Sequence, residues 1–536
     1  MTSAFVAPRP TMRTASPAGG DHRVVVIGAG IAGLVAALQL AQRNLHVTLL
    51  EAAAAPGGKM RQPIVDGAPI DSGPTVFTMR WIFEQIYASA GRRLEEELTL
   101  TALPVLARHA WSAQERMDLF ADPDRSRDAI ARFAGPAEAA RFMQFCRQAR
   151  DVYDTLEGPF IRSQSPTLLS MAGDLGMKGL ATLAALGPMS NLWDALGQHF
   201  HDYRLRQLFA RYATYCGSSP WQAPSTLMLV TQVELDGVWS VQGGMHALAQ
   251  SLAGIAQERG VEIRYGCVCS GIDTEGGRAS GVRLANGEQI AADSIVFNGD
   301  VSALHQNLLG EQVRRAASAL SPGKRSLSAL TWSVHAETAG FPLDRHNVFF
   351  QPEYQNEFND IFSRARLPQT PTVYVCAQDR GTGEIAPERD RLLVLVNAPA
   401  EGGRTLTESE IDACESHSFS LLARYGLTIS RTPQNCLRTT PADFHRMFPG
   451  SGGALYGMAT HGWMSAFSRS GAKSRIPGLY LTGGSVHPGP GVPMAAMSGQ
   501  LAAATLMDHL DSTSRSRRVV ISGGMSTRSA MTASMD

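Results

Sequence analysis

The chain has 536 residues, 48 basic and 48 acidic side chains, and a formal net charge of zero. That balance excludes the basic surface a nucleic-acid partner needs and gives no general attraction to anionic lipid. With 44 % hydrophobic residues the chain fills a sizeable core, and its length calls for two or more domains. Its seven cysteines form no framework and read as reduced thiols of a cytoplasmic protein. Cys267 and Cys269 lack the second half of a zinc site, so they read as structural thiols and no metal is expected. No apolar run reaches the roughly 18 residues of a spanning helix.

Residues 1–21 mix Pro, Ser, Thr, Gly and Arg without an apolar h-region and are expected to be a flexible leader. The β-branched run Val24-Val25-Val26-Ile27 then predicts a strand. Gly28, Ala29, Gly30, Ile31, Ala32 and Gly33 follow in the pattern G-x-G-x-x-G, and residues 34–40 suit a helix. Strand, glycine turn and helix N-terminus form a pyrophosphate site, since free N–H groups and the helix dipole face the phosphates. A second strand over 46–50 ends in Glu51, an acid about 20 positions past the glycines that suits the ribose hydroxyls of NAD or FAD. The glycine pattern alone is weak; its ordered setting makes it a dinucleotide site.

Two small-residue loops come next. Gly57-Gly58-Lys59-Met60-Arg61 folds back toward the cofactor, where Lys59 and Arg61 offer charge to phosphate or flavin, or Lys59 is simply solvated. After the Asp66-Gly67 turn, Ile70-Asp71-Ser72-Gly73-Pro74-Thr75 again permits close backbone approach to a flat ligand, before a helix that starts near Met79. From 81 to about 219 the texture is helical, with helix spacing over 141–147 and 205–215. Arg147, on an otherwise apolar helix, either meets a polar group in a substrate tunnel or forms a surface ion pair. The stretch 168–196 is poor in charge. Its Leu180, Leu183, Ala184, Leu186, Met189, Leu192 and Trp193 either pack inward or dip into a bilayer surface.

A second α/β region begins near Val238, with a helix over 247–260 and strands over 261–265, 267–274, 281–284 and 290–292, the Asn286-Gly287 turn between the last two. A buried strand is expected over 294–300. In the mixed region after it, 326–336, 373–377 and 391–398 read as strands and 408–425 as a helix. A last strand over 476–482 runs into a Gly/Pro-rich segment and a helix from Met494. The Ser/Arg/Thr-rich tail after Asp511 reads as disordered. The expected organisation is a leader (1–21), a cofactor domain in three pieces (22–80, 226–300, 466–511), a helical, membrane-associated region (81–225), a substrate domain (301–465) and a tail (512–536).

Taken together, Val26-Ile27-Gly28-Ala29-Gly30-Ile31-Ala32-Gly33-Leu34, Glu51 and Gly57-Gly58-Lys59-Met60-Arg61 resemble FAD-containing amine-oxidase-like flavoproteins. Asp71-Ser72-Gly73-Pro74-Thr75, Val241-Gln242-Gly243-Gly244-Met245, His346-Asn347-Val348-Phe349-Phe350 and the run from Leu479 to Gly489 are similar to bacterial carotenoid desaturases of the phytoene-desaturase type. The form Gly483-Gly484-Ser485-Val486-His487-Pro488-Gly489-Pro490-Gly491-Val492-Pro493-Met494 most resembles the hydroxyneurosporene desaturase branch, which acts on hydroxylated acyclic carotenoids. The likeness runs over nearly all of residues 23–510.

The resemblance implies an α/β fold: a Rossmann-like FAD domain assembled from discontinuous segments, a mixed α+β substrate domain and a helical membrane-facing part. It implies FAD as cofactor, an enzyme that removes a hydride and a vicinal proton from a lipophilic carotenoid, and a peripheral place on the inner (photosynthetic) membrane. Oxygen or a quinone would be the terminal electron acceptor, and nucleic acid would not be a partner. Gly28 to Gly33 and Glu51 would hold the ADP half, with Gly57, Gly58, Lys59, Arg61, Gly73, Pro74 and Thr75 beside it. Gly483, Gly484, Val492, Pro493 and Met494 would wall the flavin ring. Many flavoproteins place an acid in that last motif, whereas Thr482 and Ser485 flank the glycines here. No G-x-S-x-G or H-E-x-x-H is present, and catalysis needs no strong nucleophile because a polyene delocalises positive charge. His487 either takes a proton or is structural. Alternatives are a phytoene desaturase, a flavin oxidase of amines or a porphyrinogen, and a non-enzymatic prenyl-lipid carrier resembling GDP-dissociation inhibitors. An NAD-dependent dehydrogenase ranks last.

Overall fold

The computed structural model describes residues 22–164, 190–383, 387–400 and 404–520, together with 173, 175, 176, 179, 181, 182 and 385. Five parallel strands form the first sheet, in the order Leu479–Leu481, Ser294–Phe297, Arg23–Ile27, His46–Leu50, Glu262–Arg264. Four separated stretches of chain therefore meet in one sheet. Both faces are covered, which is why Val24 to Ile27 is continuously apolar rather than alternating. Val24 and Val26 enter a core with the helices Ile31–Ala41, Met245–Glu258 and Val492–Val520. Val25 and Ile27 point the other way, into a core shared with the antiparallel strands Cys269–Glu275 and Arg278–Leu284. The C-terminal helix lies close on the first: a Cβ at Gly499 would strike the carbonyl oxygen of Ala32.

A seven-stranded mixed sheet carries the second half of the molecule, in the order Cys436–Thr439, Ser328–Ala336, Asp390–Ala398, Val373–Ala377, His346–Phe349, Val105–Ala110, Arg116–Phe120. All its pairs are antiparallel except His346–Phe349 with Val105–Ala110. One face packs on the helix Glu408–Arg424 through Leu392, Val394 and Val396. The opposite face, with Val348, Tyr374 and Leu393, packs on a helical layer that includes Pro136–Leu156, Leu192–His199 and Tyr203–Ala210.

The helical reading of 81–219 is corrected here, since that segment supplies the strands Leu100–Ala102, Val105–Ala110 and Arg116–Phe120. The C-terminal helix continues to Val520, nine residues into the stretch expected to be disordered. The leader 1–21, positions 521–536, and Leu180, Leu183, Ala184, Leu186 and Met189 lie outside the described residues. Leu192 is buried and Trp193 half-buried, stacked on Trp221 at 4.6 Å. Among the described residues no helix is long and apolar enough to cross a membrane.

Candidate functional site

The glycine loop joins the Arg23–Ile27 strand to the Ile31–Ala41 helix, and its glycines differ in what requires them. Gly28 has φ +100°, a conformation L side chains avoid. Gly33 has no room: a Cβ would fall on the Gly28 carbonyl oxygen. Gly30 has φ −66°, open to any residue, and a Cβ there would meet only the Asn298 amide, at 3.1 Å. Glycine at this position is therefore best explained by a ligand that must approach the backbone. Gly484 behaves alike: its φ is not positive, and the nearest atom to a Cβ is the Pro490 Cα at 3.7 Å. Two glycines with no internal reason to be glycine, in two loops at one end of the parallel sheet, fit a dinucleotide lying between them.

Asn298, directly after its strand, is the hub of this region. Its Nδ2 donates to the carbonyls of Gly28 at 3.0 Å and Gly30 at 3.3 Å. A Cβ at Gly483 would stand 2.8 Å from its Oδ1. The sequence reading ran a strand through this residue and missed its role; an Asn closing a buried strand next to glycines was the only signal. Glu51 is buried, and its carboxylate accepts from the N–H of Ala29 at 2.7 Å and of Ala53 at 2.8 Å. A carboxylate has about four acceptor positions, so two remain for ribose hydroxyls.

The neighbouring loops are tied to this frame. Gly57 N–H donates to the Ala29 carbonyl at 2.8 Å, and a Cβ at Gly58 would lie 3.3 Å from the Gly30 Cα. Lys59 is half-buried rather than solvated; its Nζ donates to the Leu455 carbonyl at 2.6 Å, and burial lowers its pKa against the opposing pull of Asp300. Arg61 turns toward the second sheet, donating to Thr439 Oγ1 at 3.0 Å with Phe444 under its guanidinium. Gly73 is forced, since a Cβ would strike the Lys59 carbonyl. Pro74 and Thr75 keep partly accessible surface, and Thr75 Oγ1 bonds to the Tyr374 hydroxyl at 2.7 Å.

The C-terminal loop closes the site. Thr482 donates its hydroxyl to Ser498, and the Ser485 hydroxyl accepts from Val301 N–H. Neither of the two hydroxyls that replace an acid here is therefore free of internal bonds. Val492, Pro493 and Met494 begin the long helix, whose first N–H groups have no intrahelical acceptor and carry partial positive charge. His487 is buried; its Nε2 lies 2.9 Å from the Ser163 carbonyl, and Phe160 packs edge-on at 5.0 Å. Burial pushes it down to about 4, so it is neutral near pH 7 and its ring is engaged structurally. Arg147 is exposed on its helix, which corrects the tunnel alternative.

The family model for flavin containing amine oxidoreductases matches residues 31–507. A hydroxyneurosporene desaturase of Rubrivivax gelatinosus is 65 % identical over 96 % of this chain and 98 % of its own. One from Cereibacter sphaeroides is 42 % identical over 92 % of this chain and 99 % of its own. Among solved structures, a putrescine oxidase variant superposes with TM-score 0.57 at 14 % identity, covering 91 % of this chain and all of that one, a likeness of fold alone.

Proposed function

The chain belongs to the flavin containing amine oxidoreductase family, and from that premise we propose that it is an FAD-dependent desaturase of an acyclic, terminally hydroxylated carotenoid. The observation that carries this reading is 65 % identity over 96 % of the chain with a hydroxyneurosporene desaturase. Bound FAD supplies the two-electron acceptor that dehydrogenation of adjacent carbons requires. Gly28 to Gly33 bring backbone N–H groups to the pyrophosphate, and the two remaining acceptor positions of Glu51 take the ribose. Gly483 and Gly484 leave a slim wall for the ring, and the N-terminus at Val492 to Met494 stabilises negative charge there. Gly57, Gly58, Lys59, Gly73, Pro74 and Thr75 enclose the cofactor. His487 holds the loop instead of moving a proton.

In this reading 22–80, 226–300 and 466–511 form the cofactor domain, and 301–465 with the two strands from 105–120 form the substrate domain. The substrate lies between the second sheet and the helical layer, entering from a membrane surface, and electrons pass on to oxygen or a quinone. The test is turnover by the purified, flavin-loaded enzyme under argon with a quinone, then with oxygen. A hydroxylated acyclic carotenoid should gain conjugation, seen as a red-shifted absorption spectrum. Conversion of phytoene alone would move the enzyme to the early desaturases. Reduction by an amine or porphyrinogen and by no carotenoid would overturn the substrate class. A colourless protein that takes up no flavin would indicate a lipid carrier.

A further inference from the structure

The proposed substrate is a hydrocarbon with one polar atom, and the helical layer facing the second sheet carries an arginine, Arg211, whose guanidinium has few partners among the described residues. Arg211 opens the short turn Arg211–Cys216 in the helical layer, facing the second sheet. It is half-buried and keeps part of its surface accessible. Its guanidinium carbon lies 5.1 Å from the ring centroid of Tyr374 and 5.5 Å from that of Tyr215. Nη1 donates to the Tyr215 hydroxyl at 3.3 Å, and among the described residues this is the one hydrogen bond of the guanidinium.

A guanidinium has five N–H donors, and leaving donors unmet in an interior is costly. The nearby acids are committed elsewhere. Glu234 accepts from Tyr212 at 2.7 Å and Tyr215 at 3.0 Å, so it balances Arg211 only at one remove. Glu357 accepts from Thr372 N–H and from Asn397. His346 bonds to the Tyr374 hydroxyl at 2.7 Å, and its Nε2 is buried without a partner. Burial, with Arg345 and Arg211 beside it, pushes His346 down to about 3, so it adds no charge. Arg211 therefore keeps guanidinium donors that no nearby acid takes up directly.

Its position relative to the cofactor loops is set from two sides. Tyr374, under the guanidinium, bonds to Thr75 of the Gly73-Pro74-Thr75 loop. The charge of Arg211 acts on the Tyr456 phenol, and the Tyr456 carbonyl accepts from Arg469, which also donates to the Gly484 carbonyl. Arg211 thus stands one side chain behind the proposed flavin wall. If the bond desaturated lies near the hydroxylated end of the chain, the hydroxyl sits a few bonds from the reacting carbons. A group that reads it must be this near the ring.

Resting on the desaturase reading, we propose that Arg211, oriented by Tyr215 and Tyr374, donates a hydrogen bond to the terminal oxygen of the substrate and selects hydroxylated over plain acyclic carotenoids. Because Arg211 only donates, the oxygen needs only to accept, so a methyl ether should serve as well as the alcohol. A polar site that loses its partner discriminates strongly, and one hydrogen bond from a charged donor corresponds to about 10- to 100-fold.

The experiment compares a 1-hydroxy acyclic carotenoid, its methyl ether and the deoxy analogue. Affinity is read by quenching of tryptophan fluorescence and turnover by kcat/KM, on wild type, Arg211→Met and Arg211→Lys. Expected are a wild-type preference for both oxygenated substrates, a fall of about 10- to 100-fold in the hydroxy-to-deoxy ratio for Arg211→Met, and a partly retained ratio for Arg211→Lys. A merely structural role would lower both substrates together and leave the ratio in place; that outcome overturns the proposal. Equal wild-type affinity for hydroxy and deoxy forms overturns it even if Arg211→Met does not fold. Turnover of no carotenoid would sink the desaturase reading, while the binding ratio would still judge Arg211.

Discussion

At the scale of single residues, the glycine loop separates positions that serve the fold from positions that serve the ligand. Gly33 packs helix against strand, and any side chain there collides with the Gly28 carbonyl. Gly30 meets only the end of the Asn298 side chain, at 3.1 Å, so a Cβ there needs that amide to give by only a few tenths of an ångström. We expect Gly33→Val to destabilise the apoprotein severely, because the clash is with backbone that cannot yield. Gly30→Val should leave the apoprotein folded and abolish flavin binding, because the branched side chain occupies the approach of the pyrophosphate. Circular dichroism of the apoproteins, with flavin-to-protein absorbance ratios after reconstitution, checks both. Full flavin occupancy in folded Gly30→Val would sink the assignment of the loop. The same contrast explains what could be read beforehand. The spacing of the glycines and Glu51 is local and survives in a linear sequence. The grip of Asn298 on Gly28 and Gly30 spans about 270 residues and leaves no periodic trace.

The elements show the same division. Continuous apolar runs such as 24–27 and 294–297 were legible as buried strands, and the helices opening at Arg80, Met245 and Glu408 fell within two residues of expectation. Val105–Ala110 and Arg116–Phe120 fall within 81–219, expected to be helical on the spacing seen over 141–147 and 205–215. They are strands because His346–Phe349 presents a partner edge from far along the chain, and tertiary pairing overrides propensity. One motif gained a physical meaning only in three dimensions. The positive-φ pair Gly243-Gly244 lets the buried Asp71 carboxylate reach the N-terminus of the Met245–Glu258 helix, accepting from Met245 N–H at 2.5 Å. A Cβ at Gly244 would overlap that carboxylate. Asp71 also holds Gln62, and its backbone exchanges two hydrogen bonds with Gln378 across to the second sheet. Asp71→Ala should cost about 2 kcal/mol, combining a lost cap, a lost dipole partner and unmet donors. Asp71→Asn keeps an acceptor and should cost about half as much. Urea midpoints of the flavin-loaded enzymes test this, and an Asp71→Ala protein as stable as wild type would refute the capping role.

At the scale of the whole molecule, two sheets are joined through the loops that carry the glycine motifs, and the helical layer covers the second sheet on the side of Tyr374 and Arg211. On the proposed function, a water-insoluble substrate would have to reach that layer without crossing bulk water, which places the entrance against a lipid surface. The described surface offers Trp463 and Met464 side by side, 45 % and 42 % exposed. The turn Ser465–Ser468 carries Phe467 inward from there onto Phe160, which packs on His487 beside the proposed ring. The apolar patch and the site are thus linked by three rings. Trp suits the interface because its ring is apolar and its N–H is polar. With a net charge of zero, docking must come from buried apolar area rather than from attraction to anionic headgroups, so neutral vesicles should suffice and salt should matter little. Inserting both side chains is worth about 3 kcal/mol, roughly a hundredfold in partitioning. Wild-type enzyme should therefore float with neutral phosphatidylcholine vesicles at low and high salt, and Trp463→Asp/Met464→Asp should remain in the bottom fraction with flavin still bound. Leu183→Asp and Leu186→Asp, in the charge-poor stretch, form a second arm. Loss of flotation there alone would move the docking face to that stretch, and flotation that requires anionic lipid and vanishes in salt would replace apolar insertion with electrostatics.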